Sequence, residues 1–183
     1  MFLDKLCKTN PNLIQTAVHM HQQKQIMPDT YVVDVDQFLE NAKAILQKAN
    51  EQNIELYYML KQIGRNPYLA KELEKLGYKG AVVVDFKEAE VMMKNHLHIS
   101  HAGHLVQIPS MMVNQLIAYG CDYITVYSYE KLVEVNEAAK KIGLVQKVCV
   151  RVIGENDRIY SGQTAGFYLN QLEELVQKSK NLK

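Results

Sequence analysis

Six short runs of β-branched and aromatic residues return at a nearly constant interval, and that interval limits the possible folds more than any other feature. They are Tyr31–Val35, Glu55–Leu60, Gly80–Val84, Ile99–Ile108, Tyr123–Tyr127 and Lys147–Ile153, beginning 19 to 25 residues apart. Between them, apolar residues recur at three- and four-residue steps, as in Phe38, Leu39, Ala42, Ile45, Leu46 and Ala49, or Leu132, Val135, Ala138 and Ala139. Strand-like runs alternating with helical periodicity are the mark of βα units and a parallel sheet. The helices cover such a sheet, so its strands read as apolar runs rather than as alternating ones. The expectation is an α/β fold. Six units fit a doubly wound sheet as well as they fit part of an eight-unit barrel.

Local signals set the boundaries. Asn66 and Pro67 supply a cap and a first helical residue, and Gly77 can close that helix. Asp85 with Glu88, and Asn170 with Glu173, have the spacing of capping boxes. Ser128 caps the helix after the fifth run, and Asp36 reads as the cap after the first. An additional helix, opened by Asn10–Pro11 and lined by Leu13, Ile14, Ala17 and Val18, precedes the first run. The chain therefore divides into a leading helical segment, 1–30, and a body of βα units, 31–183. The stretch Gly154–Phe167 is irregular and follows a strand directly, where α/β proteins carry binding loops.

Composition narrows the function. The 183 residues, 48% of them hydrophobic, suffice for one core. Lys plus Arg number 21 and Asp plus Glu 20, so no basic arm for nucleic acid is expected. Cys7, Cys121 and Cys149 are far apart and form no CxxC, which argues against a disulfide framework or a zinc site. No stretch has the apolar length of a signal peptide or membrane span, so a cytoplasmic protein without membrane contact is expected. The sequence holds no GxGxxG, phosphate-binding P-loop or nucleophile elbow. Met92, Met93, Met111 and Met112 read as core filler.

The chemistry-bearing residues fall at run ends. Lys61 closes LYYMLK, where a buried strand meets its loop. A lysine over an apolar floor is deprotonated more readily and can attack a carbonyl, whereas an ordinary strand-end lysine is simply solvated. Arg65 and Asn66, at the next helix start, could hold an anion such as phosphate, or could only cap and face solvent. His101 and His104 have odd spacing, which places them on opposite faces unless Gly103 bends the strand. His104 and Gln107 are the better candidates for a pocket mouth. Cys149 reads as a small buried hydrophobe. Arg151 interrupts an apolar strand, which requires a partner or a polar cavity. Arg158 follows seven residues later in the irregular stretch, among Tyr160, Ser161 and Gln163.

Taken in order, YVVDVDQFLENAKAI, LYYMLKQIGRNPYLAKEL, AVVVDFKEAEVM, HAGHLVQIP, ITVYSYEKLVEVNEAAKK and VRVIGENDRIYSGQTAGF resemble the pyridoxal-phosphate enzymes of the alanine racemase type. The likeness is to their amino-terminal barrel, in its YhfX-like branch, and runs from about Tyr31 onwards. It implies a TIM-barrel-like α/β fold, the amino-terminal domain of fold type III, incomplete with about six βα units. It implies pyridoxal 5'-phosphate as cofactor, a Schiff base on Lys61, and an amino-acid or amine substrate whose α-centre is inverted. Arg158 matches the family arginine near the cofactor's phenolic oxygen, and Arg151 a basic residue seven positions earlier. Arg65 stands where the family has a tyrosine that contacts the phosphate. His104 is expected to open onto the same cavity as Lys61, Arg151 and Arg158.

A complete barrel takes about 250 residues. The resemblance therefore also implies that the last two units, and a carboxyl-terminal β-domain bearing the opposite-face base, lie outside this chain. A truncated racemase-like chain, whose activity in isolation is in doubt and which a homo-oligomer or a complementing carboxyl-terminal fragment could complete, is the expectation. The alternatives are a non-catalytic α/β binding module, with helices on both sheet faces and Lys61 in solvent, and a cofactor-binding subunit whose barrel a partner closes.

Overall fold

A computed structural model describes residues 2–157, Tyr160 and residues 163–182. Arg158 and Ser161 lie outside the described residues. The chain forms two compact units, with the boundary after Lys48.

The first unit is helical. It contains α1 (Phe2–Thr9), α2 (Pro11–Gln22) and most of α3 (Val35–Glu51). Asn10 caps α2 by accepting from the Leu13 N–H at 3.2 Å, while its Nδ2 donates to Asp34 Oδ2 at 2.7 Å. Asp34 in turn accepts from the Gln37 N–H at 3.0 Å and starts α3. The cap of α3 is therefore Asp34, not Asp36. The Gln37 and Asn10 bonds together hold the Asp34 carboxyl below the usual range. Residues 31–34, expected as a strand, are extended but unpaired among the described residues, and Val35 is already helical. Tyr31 is 94% exposed. β-branched composition favours an extended backbone, but only a neighbouring edge turns that into a strand.

The second unit holds a parallel sheet of β1 (Ala81–Val83), β2 (Ile99–Ala102), β3 (Tyr123–Val126) and β4 (Lys147–Val150), in chain order. The expected strand at Glu55–Leu60 is reduced to a bridge. The Tyr58 N–H donates to Gly80 O at 3.0 Å, and Tyr58 O accepts from Val82 at 2.8 Å. The crossovers are α4 (Pro67–Leu76), α5 (Phe86–Lys94), α6 (Ser110–Tyr119) and α7 (Tyr129–Lys141). After Arg151 the chain forms β5 (Val152–Ile153), which pairs with β6 (Phe167–Tyr168), and then α8 (Leu172–Ser179).

Strand order that never reverses decides between the two sheet types. A doubly wound sheet needs a reversal, whereas right-handed crossovers stepping one way keep every helix on one face. The sheet is thus an arc of a barrel, and β4 has no strand on its outer edge within the four-stranded sheet. Ala81, Val83, Ile124 and Val126 are buried with Leu69, Met92, Leu116 and Val135 of the helices. In register across the arc lie Val82, His101, Tyr123 and Lys147, with Thr125 beside Cys149 one step further on.

Most helix signals act as read. Asn66 accepts from the Tyr68 and Leu69 N–H groups, Ser128 from Lys131, and Gly77 closes α4 in a left-handed conformation. Three do not. Asn170 lies within a short 3-10 turn, and Gln171 Oε1 accepts from the Tyr168 N–H instead. Met111 is 88% exposed, while Met92, Met93 and Met112 are core. Glu88 takes a part described below.

Candidate functional site

The carboxyl ends of the parallel segments carry, in order across the arc, Lys61, Val84, Gly103 with His104, Tyr127 and Arg151. Lys61 is exposed and opens a 3-10 turn, Lys61–Ile63, immediately after the buried Leu60. Leu60 O accepts from both the Ile63 and Arg65 N–H groups, at 3.1 and 3.0 Å, which closes the turn. Among the described residues the lysine ammonium has no ion-pair or hydrogen-bond partner.

Arg65 follows with φ of 55°. Its Nη2 donates to Asp85 Oδ2 at 2.8 Å, so one edge of the guanidinium is committed to the first turn of α5. Its Nε is buried and has no acceptor among the described residues. An orphaned buried donor beside the start of α4 fits an anionic group such as a cofactor phosphate. Asp85 caps α5, accepting from the Glu88 N–H at 2.8 Å. Glu88 does not return that bond as a capping box would. Its carboxyl reaches back over the sheet, where Oε2 accepts from the Val84 N–H at 2.8 Å and Oε1 from the Leu60 N–H at 3.3 Å. Burial raises the Glu88 pKa, against the lowering effect of those two bonds and of the Arg65 charge.

Further along the rim, Gly103 takes φ of 83° and turns the chain directly after β2. His101 and His104, which strict alternation would separate, meet edge-to-face with ring centres 5.7 Å apart. His101 also hydrogen-bonds Thr125 Oγ1. Burial, and secondarily the charge of His104, push the His101 pKa down. Tyr127 Oη donates to the Gly103 and His104 carbonyls at 2.9 and 3.2 Å, fixing the bend. Gln107, expected at the mouth, uses its Oε1 to accept from the Tyr127 N–H at 3.2 Å.

Arg151 has the partners its position demands. Its Nη2 donates to Gln163 O at 3.0 Å and its guanidinium faces the Tyr127 ring. A cleft of about 530 Å³ opens here, lined by His104, Thr125, Cys149, Arg151 and Gln163 among others. Cys149 is half-buried and part of this wall rather than core.

The structure thus brings His104 and Arg151 to one cleft. Lys61 and Arg65 stand on the same strand-end rim but do not line that cleft. The sequence does not mark Glu88, Thr125 or Tyr127 as site residues. The capping-box spacing marks Glu88, but nothing in the sequence tells which way its side chain turns. No group of three or more metal-ligating side chains is present among the described residues. Among them, too, no helix is long and apolar enough to cross a membrane.

Residues 33–183 match the family model of the alanine racemase N-terminal domain. The chain is 47% identical over 182 residues to "Uncharacterized protein YhfX" of Escherichia coli (strain K12), covering 100% of this chain and 47% of that protein. Among solved structures it resembles diaminopimelate decarboxylase from Helicobacter pylori complexed with L-lysine, with a TM-score of 0.68 and 17% identity, over 90% of this chain and 43% of that one. It also resembles D-threonine aldolase from Filomicrobium marinum (TM-score 0.62, 19% identity, 83% of this chain and 41% of that one). Alanine racemase from Clostridium difficile 630 gives a TM-score of 0.57 at 23% identity, over 82% of this chain and 38% of that one. The chain spans about half the length of the curated relative it matches. Its arc of parallel strands is an incomplete barrel of the type these enzymes share, and the chain belongs to the alanine racemase N-terminal domain family.

Proposed function

We propose that this chain is the lysine-bearing part of a pyridoxal 5'-phosphate enzyme of racemase type, acting on an amino acid or amine in the cytoplasm. The observation that carries the reading is the place of Lys61, directly after the buried Leu60 on the strand-end rim that also bears His104 and Arg151, with its ammonium unpaired among the described residues. When bound, the cofactor supplies an aldehyde for a lysine amine and a ring that takes up carbanion charge.

The chain's own residues divide the remaining work. Lys61 offers its amine for the Schiff base and can hold a proton for one face of a substrate α-carbon. Arg65, anchored through Nη2 to Asp85, would offer its unpaired Nε to the phosphate. Arg151, fixed by Gln163 O and the Tyr127 ring, places a permanent positive charge beside the cleft, and His104 lines its wall. Arg158 is assigned a contact near the phenolic oxygen on resemblance alone. Residues 31–183 form the cofactor-binding body in this reading, with 1–30 a leading segment. An acid or base for the opposite face comes from a complementing carboxyl-terminal portion or a second subunit. The outer edge of β4, without a partner strand in its sheet among the described residues, favours such completion, because free strand edges invite pairing.

The test is to mix the chain with pyridoxal phosphate, reduce with borohydride and map the modified lysine by mass spectrometry. Specific modification of Lys61, lost in Lys61→Ala, is the expected result. Labelling scattered over many lysines would sink the assignment.

A further inference from the structure

We propose that Glu88 is a positioning residue for Lys61, its buried carboxyl tying together the ends of two neighbouring strand segments and so fixing the turn that carries the lysine. This inference rests on the reading of Lys61 given above.

Glu88 is 1% exposed. A carboxyl group is costly at such a position unless its oxygens are used, and both are. Oε1 accepts from the N–H of Leu60, the residue directly before Lys61, and Oε2 from that of Val84, the residue directly after β1. Leu60 is itself 2% exposed, and its carbonyl closes the lysine turn through Ile63 and Arg65. Leu60 is therefore the fixed end of the turn, and Glu88 is what holds its amide.

The far end of the turn is held by the same helix. Arg65 donates to Asp85, and Asp85 caps the helix that presents Glu88. Residues 60–65 are thus pinned at both ends to the first turn of α5, while the Lys61 ammonium has no partner among the described residues. Packing alone does not need an acid here, since an apolar side chain fills the volume at lower desolvation cost. Two inward-pointing N–H groups, however, require an acceptor on each branch of the side chain, which among common side chains only a carboxyl supplies. Glutamine has one acceptor branch and sets an NH2 against the other donor.

The test uses the full chain, with Glu88→Gln, Glu88→Asp and, as a control, Ser128→Ala, which removes the cap of α7 elsewhere in the unit. Two quantities are read: hydrogen exchange at the Leu60 and Val84 amides, and the share of borohydride-fixed pyridoxal phosphate on Lys61 relative to all other lysines. In Glu88→Gln the Leu60 amide is expected to exchange faster and the Lys61 share to fall about tenfold, the scale of a modest misplacement of a reacting group. Glu88→Asp should fall between this and the wild type, and it carries the comparison if Glu88→Gln does not fold. Ser128→Ala should move neither quantity.

Faster Leu60 exchange with an unchanged Lys61 share would make Glu88 a purely structural acid and overturn the proposal. So would an equal fall in Ser128→Ala. Absence of specific Lys61 labelling in the wild type would instead overturn the cofactor reading, and the positioning role with it. The wild type thus reports on one claim and the variants on the other.

Discussion

The guanidinium carbon of Arg151 lies 5.0 Å from the centre of the Tyr127 ring. The same residue connects three segments through its backbone and side chain. Its N–H donates to Val126 O at 3.1 Å, its carbonyl accepts from Phe167 at 2.9 Å, and Nη2 reaches Gln163 O. Removing the side chain leaves the backbone bonds and deletes the ring contact and the charged hydrogen bond. Arg151→Ala is expected to lower the unfolding free energy by about 1–2 kcal/mol, and Arg151→Lys by less. Urea titration measures both. Equal losses would show that the planar, stacked geometry of arginine is not what counts.

His101 offers a readout by titration. Its burial and the neighbouring His104 keep it neutral to lower pH than an ordinary histidine. The depressed pKa means that the fold is most favoured by this group above the ordinary histidine range, and loses that contribution as pH falls through the lowered value. NMR titration of the imidazole signals should find His101 charging at lower pH than the free side chain. In His104→Ala its pKa should rise, although not to the ordinary value, because burial is the larger cause.

Much of this could be read before any coordinates. The regular spacing specified βα units, and Asn66, Gly77, Asp85 and Ser128 marked helix ends correctly because caps are local chemistry. Pairing is not local. The runs Tyr31–Val35 and Glu55–Leu60 have similar composition, but residues 31–34 lie unpaired among the described residues while Tyr58 bridges Ala81, a difference set by neighbours distant in sequence. The site divides in the same way. Arg151 was legible because a guanidinium in an apolar run demands partners. Glu88 was legible only as a helix-start residue, since spacing does not show that its side chain turns back onto Leu60 and Val84.

Gly103 is the hinge on which the histidine pair depends. Its φ of 83° is a conformation side chains rarely adopt, and a Cβ there would lie 3.2 Å from Thr125 O. Gly103→Ala is therefore expected to destabilise the chain by about 1–2 kcal/mol, mostly from backbone strain. It should also move His104 away from His101, visible as changed imidazole shifts for both rings. Loss of stability with unaltered histidine signals would mean that the Tyr127 hydroxyl, rather than the glycine, sets the bend.

The pH dependence of stability should identify Glu88 as well. Burial lifts its pKa above the ordinary carboxyl value more strongly than the Val84 and Leu60 N–H groups and Arg65 pull it down. Between the two values the folded chain keeps a proton that the unfolded chain has released. The contribution of this group is then fully present below the unfolded value and is lost as pH rises through the folded one. Glu88→Gln has no proton to lose. The stability of the wild type relative to Glu88→Gln should accordingly shrink as pH is raised from the ordinary carboxyl value through the raised one. A relative gain for the wild type as pH rises would mean that the two backbone donors outweigh desolvation, so that the group is held as a carboxylate.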